Sequence, residues 1–205
     1  MIDILEFKMK KLVLGCGREP KKGWINSDHT KKQKTLDWFE EMRAEGYEII
    51  ELNVTETFPF EDNSIDYIFS EHMIEHVYEK QGIHCLTECL RVLKPGGIIR
   101  TVAPSRTFYE NHRDDHSEFT KNYCRKIWNR DTFLGAANRI SQRSLTEQGH
   151  YWVPTLEMLI NQHEKVGFQD VKQCWYAKSE HKELDGVDLV DGLREYESIV
   201  VEGTK

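Results

Sequence analysis

The stretch Lys11-Leu-Val-Leu-Gly-Cys-Gly17 is a short apolar run that ends on two closely spaced glycines. Such a run is typical of a buried strand followed by a tight turn. A second short strand, Gly23-Trp-Ile-Asn-Ser-Asp28, comes next and ends on an acid. Only ten residues separate Gly17 from Asp28, whereas a crossover between parallel strands takes about a dozen residues including its helix. We therefore predict that the first crossover helix is shortened or replaced by a loop.

Strand and helix signals continue to alternate along the chain. Apolar periodicity and turn residues predict three helices, over about residues 35–45, 78–93 and 155–166. They also predict five further strands, over residues 47–52, 65–69, 97–103, 168–177 and 197–202. This alternation is typical of a mostly parallel sheet with helices on both faces. The predicted fold class is α/β: a single Rossmann-like, doubly wound domain over residues 1–205, with an antiparallel last strand.

Charge and hydropathy exclude several classes of protein. The chain has 205 residues and a formal net charge of −7, which argues against a binder of long nucleic acid, whose surface is basic. No apolar run approaches the length of about 18 residues that predicts a membrane-spanning helix. The N-terminal Met1-Ile-Asp-Ile-Leu-Glu-Phe7 carries acids where a secretion signal has basic residues. We expect a cytoplasmic protein that is not inserted in a membrane.

Cysteine usage agrees with a reducing compartment. The five cysteines are odd in number and include no C-x-x-C pair, as expected of thiols that serve as small packing residues. Cys85 and Cys89 are four residues apart and could form half of a metal site. Packing of one helix face against the core is the favoured interpretation of this pair.

The segment over residues 105–150 differs from the rest of the chain. Between Arg106 and Gln148 there are eight Lys and Arg against six Asp and Glu, so this part is faintly basic. It follows the fifth strand, and we predict that it forms a helical cover for the substrate. Its aromatic and cationic side chains could hold a sugar or an anionic group, or could form a solvated helical pair with its own small core: Tyr109, His112, Arg113, His116, Tyr123, Arg125, Trp128 and Arg130.

The glycine turn after the first strand is the prime candidate for a cofactor pocket. In an open α/β sheet, ligands bind beyond the carboxyl ends of the strands, where the strand order reverses. A dinucleotide site needs a third glycine, a helix that receives the pyrophosphate and an acid about 20 residues further on; here position 20 is proline, the helix is missing and the acid Asp28 comes early. Asp28 can accept from both hydroxyls of a ribose, and Asn53 from an adenine amine. This set fits S-adenosylmethionine.

Several motifs, taken in order, resemble those of class I S-adenosylmethionine-dependent methyltransferases. The likeness is greatest to a small, short-linker subgroup of type 11-like predicted methyltransferases, and it covers about residues 11–105 well. It resumes at Gly149-His-Tyr-Trp152 and near residues 167–168. The motifs are Leu12-Val-Leu-Gly-Cys-Gly17, Gly23-Trp-Ile-Asn-Ser-Asp28, Phe58-Pro-Phe-Glu-Asp-Asn-Ser-Ile-Asp66, Glu71-His-Met-Ile-Glu-His76 and Leu90-Arg-Val-Leu-Lys-Pro-Gly-Gly97.

The resemblance assigns residues to the cofactor site by position. It implies that Gly15, Cys16 and Gly17 line the methionine and ribose part, and that Asp28 binds the ribose hydroxyls. It also implies that Asn53 and Val54 bind the adenine and that Ser70 approaches the methionine end: Gly15, Cys16, Gly17, Asp28, Asn53, Val54 and Ser70. The family more often has aspartate where this chain has Asn53. An asparagine keeps an acceptor for the adenine amine, so we expect weaker binding there.

The segment Glu71-His-Met-Ile-Glu-His76 contains the pattern H-x-x-E-H. On a helix, two histidines four residues apart share a face and could hold zinc beside a glutamate base, so a zinc hydrolase is a remote alternative. It is disfavoured because His72 directly follows a strand and no third ligand is evident.

In a methyltransferase a histidine suits the role of general base. We expect His72 first, and His150 second, to fill that role, and we expect no metal. The favoured function is methyl transfer to a small polar acceptor at oxygen or nitrogen, such as a sugar or an anionic metabolite. A non-catalytic protein that binds S-adenosylmethionine or S-adenosylhomocysteine, as a regulatory partner in a complex, is the alternative.

Overall fold

A computed structural model describes residues 9–112, 114–128, 150–190 and 192–205. One seven-stranded sheet runs through the described part of the chain, with helices packed on its two faces. The strands are β1 Lys11–Leu14, β2 Ile25–Asp28, β3 Glu48–Glu51, β4 Ile65–Glu71, β5 Leu93–Pro104, β6 Gln169–Cys174 and β7 Ser198–Thr204. The helices are α1 Gln33–Ala44, α2 Glu79–Val92, α3 Arg106–Asn111, α4 Glu118–Tyr123, α5 Leu156–Val166 and α6 Arg194–Glu197, with a 3-10 turn over Ile74–His76 and a π-helical turn over Cys124–Trp128.

The strand order is β3-β2-β1-β4-β5-β7-β6. Strands β1 to β5 are parallel, and β7 runs antiparallel to both β5 and β6. The predicted α/β fold class with an antiparallel last strand is therefore confirmed. Because the chain first winds from β1 toward β3 and then returns to β4 on the other side of β1, the order reverses between β1 and β4. Ligands bind at this reversal in doubly wound sheets.

Each face of the sheet has its own core, and successive residues of a central strand point into one core and then the other. Leu12 and Ile68 pack with the buried face of α2, whereas Val13 and Phe69 pack on the opposite face with Phe39 of α1. This period of two is the geometry of a strand that is buried on both sides. Helix α2 buries residues at the i, i+3, i+4 and i+7 spacing of one helix face: Gly82, Cys85, Leu86 and Cys89. The packing interpretation of the Cys85 and Cys89 pair is thus confirmed, and all five cysteines are free thiols.

A loop replaces the first crossover helix, as the spacing predicts. Residues 15–24, all of which the structure describes, contain turns and no helix. The buried side chain of Asn26 secures this loop, because its Nδ2 donates to the carbonyls of Lys21, Trp24 and Glu48 and its Oδ1 accepts from the Lys21 N–H at 2.6 Å. The amide thus satisfies loop carbonyls that have no helical partner.

A buried ion cluster fixes the connection between β6 and β7 against the sheet. Arg100 lies in the middle of β5 and is completely buried. Its guanidinium donates to both carboxylate oxygens of Asp188 and to Glu202 Oε1, the latter at 2.7 Å. It also donates to the carbonyls of Trp175 and Lys178. The Arg100 guanidinium thus donates five hydrogen bonds to carboxylate and carbonyl oxygens, which is how a buried guanidinium is stabilised.

The first part of the predicted cover segment is helical. Ser105 and Ser117 cap helices α3 and α4, since their side chains accept from the N–H groups of Phe108 and Thr120, the usual arrangement of an N-terminal cap. These helices enclose a small core of their own with Tyr109, Tyr123, Cys124 and Val153. Residues 129–149 and Arg113 lie outside the described residues, so the single-domain assignment and the rest of the cover stay predictions.

Candidate functional site

A cavity of about 1020 Å³ opens at the carboxyl ends of β1, β2 and β4, where the strand order reverses. Its lining brings together five of the seven residues that the sequence assigns to a cofactor, together with the predicted base His72: Gly15, Gly17, Asp28, Asn53, Val54 and His72. Four separate chain segments contribute these residues. A cavity of this size accommodates a small organic molecule.

The glycine turn after β1 needs the residue type found there. Gly15 and Gly17 have φ angles of +68° and +52°, which only glycine adopts without strain. A Cβ on Gly15 would lie 2.5 Å from Met73 Cγ, whereas a Cβ on Gly17 would meet nothing within 4 Å. Gly15 therefore permits a close approach of the turn to the segment after β4, and Gly17 leaves its backbone open to the cavity.

Asp28, at the end of β2, is already oriented by the backbone. Its Oδ2 accepts from the Gly17 N–H at 2.7 Å, and its Oδ1 accepts from the His29 N–H at 2.7 Å. Each carboxylate oxygen has a second lone pair available. The acid thus ties the glycine turn to β2 and presents a negative edge to the cavity.

Asn53, after β3, has its side-chain oxygen engaged locally. Oδ1 accepts from the Thr55 N–H at 3.1 Å and from the Thr55 hydroxyl at 2.8 Å, and Nδ2 donates to Glu56 at 2.9 Å. This arrangement is an Asx turn, which shapes the loop. The asparagine lines the cavity beside Val54, and its role toward adenine stays a prediction.

Two of the predicted cofactor residues lie behind the cavity wall. The Cys16 side chain packs in the core with Val13 and Trp24, and burial, followed by the charge of Asp28, raises the pKa of its thiol to about 12. Ser70 is 2% exposed. Neither belongs to the lining of the cavity, so any contact of Cys16 with a ligand would be through its backbone.

His72 follows β4 directly, in a conformation that is rare for a residue with a side chain. Its φ is +48°, a strained value that is typical of functional positions. The imidazole is held on both sides: Nε2 lies 2.8 Å from Ser198 Oγ, and Nδ1 lies 3.4 Å from Glu75 Oε1. The residue is part of the cavity lining.

Beneath His72 lies Glu75, a completely buried carboxylate. Three histidines surround it, since Oε1 is 3.4 Å from His72 Nδ1, 3.8 Å from His150 Nε2 and 3.9 Å from His76 Nε2. Burial by itself would raise the pKa of Glu75, but the contact with His72 and the charges of His150 and His76 lower it to about 2. Burial lowers the pKa of His150 to about 4, although Glu75 opposes that shift.

The helical interpretation of H-x-x-E-H is wrong. β4 continues to Glu71, and only Ile74–His76 forms a short 3-10 turn. His72 therefore precedes the turn, bonds to Ser198 and does not share a helix face with His76. A residue distant in sequence, His150, takes the place beside His76, with ring centroids 4.8 Å apart. Sequence spacing gave no sign of this pair, although Gly149-His-Tyr-Trp152 stood out as a motif.

Other parts of the cavity were not predicted. Arg18, Lys31 and Lys32 contribute cations to its rim, and Met73 and Tyr151 contribute apolar surface. In the cover segment, Tyr109 and Tyr123 are buried rather than displayed to a ligand. The hydroxyl of Tyr109 donates to Glu197. These two aromatics support the interpretation that the segment has a small core of its own.

The sheet order, the glycine turn after β1 and the acid at the end of β2 together define a Rossmann-like fold, which solved SAM-dependent methyltransferases share. Residues 12–101 match the family described as a methyltransferase domain. A probable S-adenosylmethionine-dependent methyltransferase of Mycolicibacterium smegmatis is 34% identical over 56 residues, which are 27% of this chain and 21% of that protein. The matched stretch thus covers about a fifth of the length of that curated relative.

Solved structures agree on the fold. A SAM-dependent methyltransferase from Archaeoglobus fulgidus superposes with a TM-score of 0.57 at 15% identity, covering 96% of this chain and 86% of the other. Phosphoethanolamine N-methyltransferase 2 of Haemonchus contortus, solved with S-adenosyl-L-methionine, gives a TM-score of 0.55 at 18% identity, with coverage of 96% and 48%. The resemblance drawn from the motifs is confirmed. Among the described helices, none has the length and apolar character needed to cross a membrane.

Proposed function

We propose that this protein transfers a methyl group from S-adenosylmethionine to a small polar acceptor. The observation that carries the proposal is the pairing of Asp28 with the Gly17 N–H at 2.7 Å, in a cavity at the reversal point of the sheet. A carboxylate and an open glycine backbone at that point suit a ribose and a compact zwitterion. The methyltransferase-domain match over residues 12–101 supports S-adenosylmethionine as the cofactor.

Residues present in the cavity fit that cofactor. Asp28 would accept from the ribose hydroxyls, Gly15 and Gly17 would face the ribose and methionine parts, and Asn53 with Val54 would contact the adenine. The cofactor, when bound, supplies a methyl group already activated on a sulfonium. The protein then has to align the acceptor, exclude water and, for a hydroxyl nucleophile, accept a proton.

His72 is the residue that we assign to that proton transfer. It lines the cavity, and Ser198 and Glu75 hold its ring on both sides. His150 is the second candidate, because it is not part of the cavity lining. A general base contributes about 100-fold or more to the rate, so its removal is measurable.

The chemistry of the rim favours an acceptor that is polar or anionic. Arg18, Lys31 and Lys32 line the opening of the cavity, whereas the chain as a whole has a net charge of −7. Local cations on an acidic protein attract small anions. Long nucleic acids would meet repulsion outside this rim, so a sugar or a small acid is the proposed class of acceptor.

The activity is tested by the release of S-adenosylhomocysteine with a panel of polar metabolites. We expect one class of acceptor to be methylated, and His72→Ala to lower turnover about 100-fold while the affinity for S-adenosylhomocysteine changes little. His181→Ala, which lies in the β6–β7 connection away from the cavity, is the matched control. Tight cofactor binding without any methylated product across the panel would favour the non-catalytic alternative. An unchanged rate in both His72→Ala and His150→Ala would remove histidine as the base.

A further inference from the structure

Three potential metal ligands converge next to the cofactor cavity. Glu75 and His76 come from the 3-10 turn after β4, and His150 is the last residue of the cover segment in the sequence. Their ligand atoms all lie within 4.8 Å of one another. Glu75 Oε1 is 3.9 Å from His76 Nε2 and 3.8 Å from His150 Nε2.

The carboxylate at the centre lacks the partners that burial demands. Glu75 has 0% exposure, and neither of its oxygens accepts a hydrogen bond of normal geometry among the described residues, although His72 Nδ1 lies 3.4 Å from Oε1. A buried ionised carboxylate is costly unless it is paired or coordinates a metal. No lysine or arginine among the residues that the structure describes forms an ion pair with it. The groups that face it are imidazoles, which are metal ligands when neutral.

We propose that Glu75, His76 and His150 bind a divalent transition-metal ion of the zinc class. Two imidazoles and one carboxylate are an established ligand set for such ions. In a tetrahedral zinc site with bonds of about 2.1 Å, neighbouring ligand atoms lie about 3.4 Å apart. The separations of 3.8 and 3.9 Å from Glu75 Oε1 therefore need to shorten by about 0.5 Å each, and the separation of the two histidine nitrogens, at most 4.8 Å, by up to about 1.4 Å. Rotation of the His76 side chain, which is 41% exposed, can supply part of that movement.

A metal ion on these three ligands would keep a fourth position open, and it would lie beside the cavity, because His76 also lines the cavity. An open position is the mark of a metal site that takes a further ligand. An oxygen of the acceptor suits that position, and this last step alone rests on the function proposed above. Metal binding would also occupy the Nε2 of His150, so His150 could no longer act as the base at that nitrogen. It would also replace our expectation of a metal-free site.

Calorimetric titration of Zn²⁺ into chelator-treated full-length protein tests the site. We expect one ion per chain, and a loss of affinity of at least about 100-fold in His76→Ala and His150→Ala, since loss of a second-shell partner alone costs about 10–100-fold. Co²⁺ should give the visible absorption of a four- or five-coordinate ion. His116→Ala removes an exposed histidine of the cover segment and should bind as the wild type does.

His76→Ala is the variant to interpret first, because its side chain is partly exposed and its removal leaves the core intact. Glu75→Gln is informative only when its circular dichroism and melting match those of the wild type. Failure to bind one Zn²⁺ tightly, or equal affinity in wild type, His76→Ala and His150→Ala, would overturn the proposal. A parallel titration with S-adenosylhomocysteine separates the metal site from the proposed function. If the protein binds Zn²⁺ but not S-adenosylhomocysteine, the proposed function is wrong and the metal site stands. If it binds S-adenosylhomocysteine but not Zn²⁺, only the metal site is wrong.

Discussion

The close approach of the glycine turn to Met73 gives a sharp test of how the cofactor cavity is built. We consider Gly15→Ala beside Gly17→Ala. Both positions have a positive φ, +68° and +52°, so alanine bears a similar backbone cost at each, about 1–2 kcal/mol. Both substitutions also gain the same small benefit from a less flexible unfolded chain.

The two positions differ in the space around the new methyl group. At Gly15 the Cβ would lie 2.5 Å from Met73 Cγ and 2.9 Å from Met73 Cβ, whereas at Gly17 there is open space. Met73 is 8% exposed and is packed in the core, so it must leave its rotamer or move the segment after β4. That movement costs about 1–2 kcal/mol. We predict that Gly15→Ala lowers the free energy of unfolding by about 1–2 kcal/mol more than Gly17→Ala does.

Urea denaturation followed by tryptophan fluorescence measures both changes, with the slope of the transition checked for constancy. The same pair in a Met73→Ala background is the control, because the nearest contact, with Met73 Cγ, is then gone while the 2.9 Å contact with Cβ remains. The excess cost of Gly15→Ala over Gly17→Ala should therefore shrink in that background. Equal costs in the wild-type background, or an excess that is just as large in the Met73→Ala background, would refute the steric argument. The first result would mean that the turn does not approach Met73 in solution.

Three further predictions concern the scaffold. Burial lowers the pKa of His163 to about 4, so its neutral form, whose Nδ1–H donates to the Leu159 carbonyl, stabilises the fold above the unfolded pKa of about 6.5. About 3 kcal/mol of the free energy of unfolding should be lost as the pH falls from 6.5 toward 4. Urea denaturation across that range should show this loss in the wild type and not in His163→Gln. Parallel pH profiles of the two proteins would contradict the prediction. Asp188→Ala leaves the buried Arg100 short of a carboxylate, and we expect a loss of about 3–5 kcal/mol in thermal and urea unfolding, with a loss below 1 kcal/mol arguing that the pair contributes little. Asn26→Ala leaves loop carbonyls unpaired and should cost about 1–3 kcal/mol; hydrogen exchange that stays slow over residues 21–24 would count against this role of the amide.

Much of the sheet could be predicted because each central strand is short, apolar and bounded by glycine or an acid. The stretch Lys11-Leu-Val-Leu-Gly-Cys-Gly17 fixes both the strand and the turn after it, since glycine is the residue that tolerates the positive φ found at Gly15. The short spacing to Asp28 predicts the missing helix for a similar reason: too few residues remain to form one. These are local constraints, and local sequence carries them.

What the sequence could not predict is long-range pairing of polar groups. Arg100 interrupts an apolar strand, but nothing in the sequence says that Asp188, 88 residues further on, neutralises it. The H-x-x-E-H pattern suggested His72 and His76 as partners, whereas the fold turns His72 toward Ser198 and brings His150 beside Glu75. Periodicity reports which face of an element is apolar. It does not report which distant side chains meet there.

Among the residues assigned to the cofactor, some lie at the cavity and others in the interior. Asp28 and Gly17 were predicted and do contact each other, because the ends of adjacent parallel strands lie at one edge of the sheet. Cys16 and Ser70 were assigned by position in the motif, but the side chains of both lie in the interior. Ser70 belongs to β4, whose alternation turns its side chain inward, whereas Cys16 lies in the turn after β1. A motif fixes the backbone path, but it does not decide which side chains reach the ligand.

We propose that Asp28 holds S-adenosylmethionine in this cavity. Calorimetric titration of S-adenosylhomocysteine into the wild type, Asp28→Ala and the exposed helix-α1 variant Asp37→Ala tests it most directly. Loss of the charged hydrogen bonds to a ribose costs about 3 kcal/mol. We therefore expect micromolar or tighter binding by the wild type and by Asp37→Ala, and affinity about 100-fold weaker in Asp28→Ala. Absence of binding by the folded wild type, or equal affinity in all three proteins, would show that Asp28 does not hold this cofactor here.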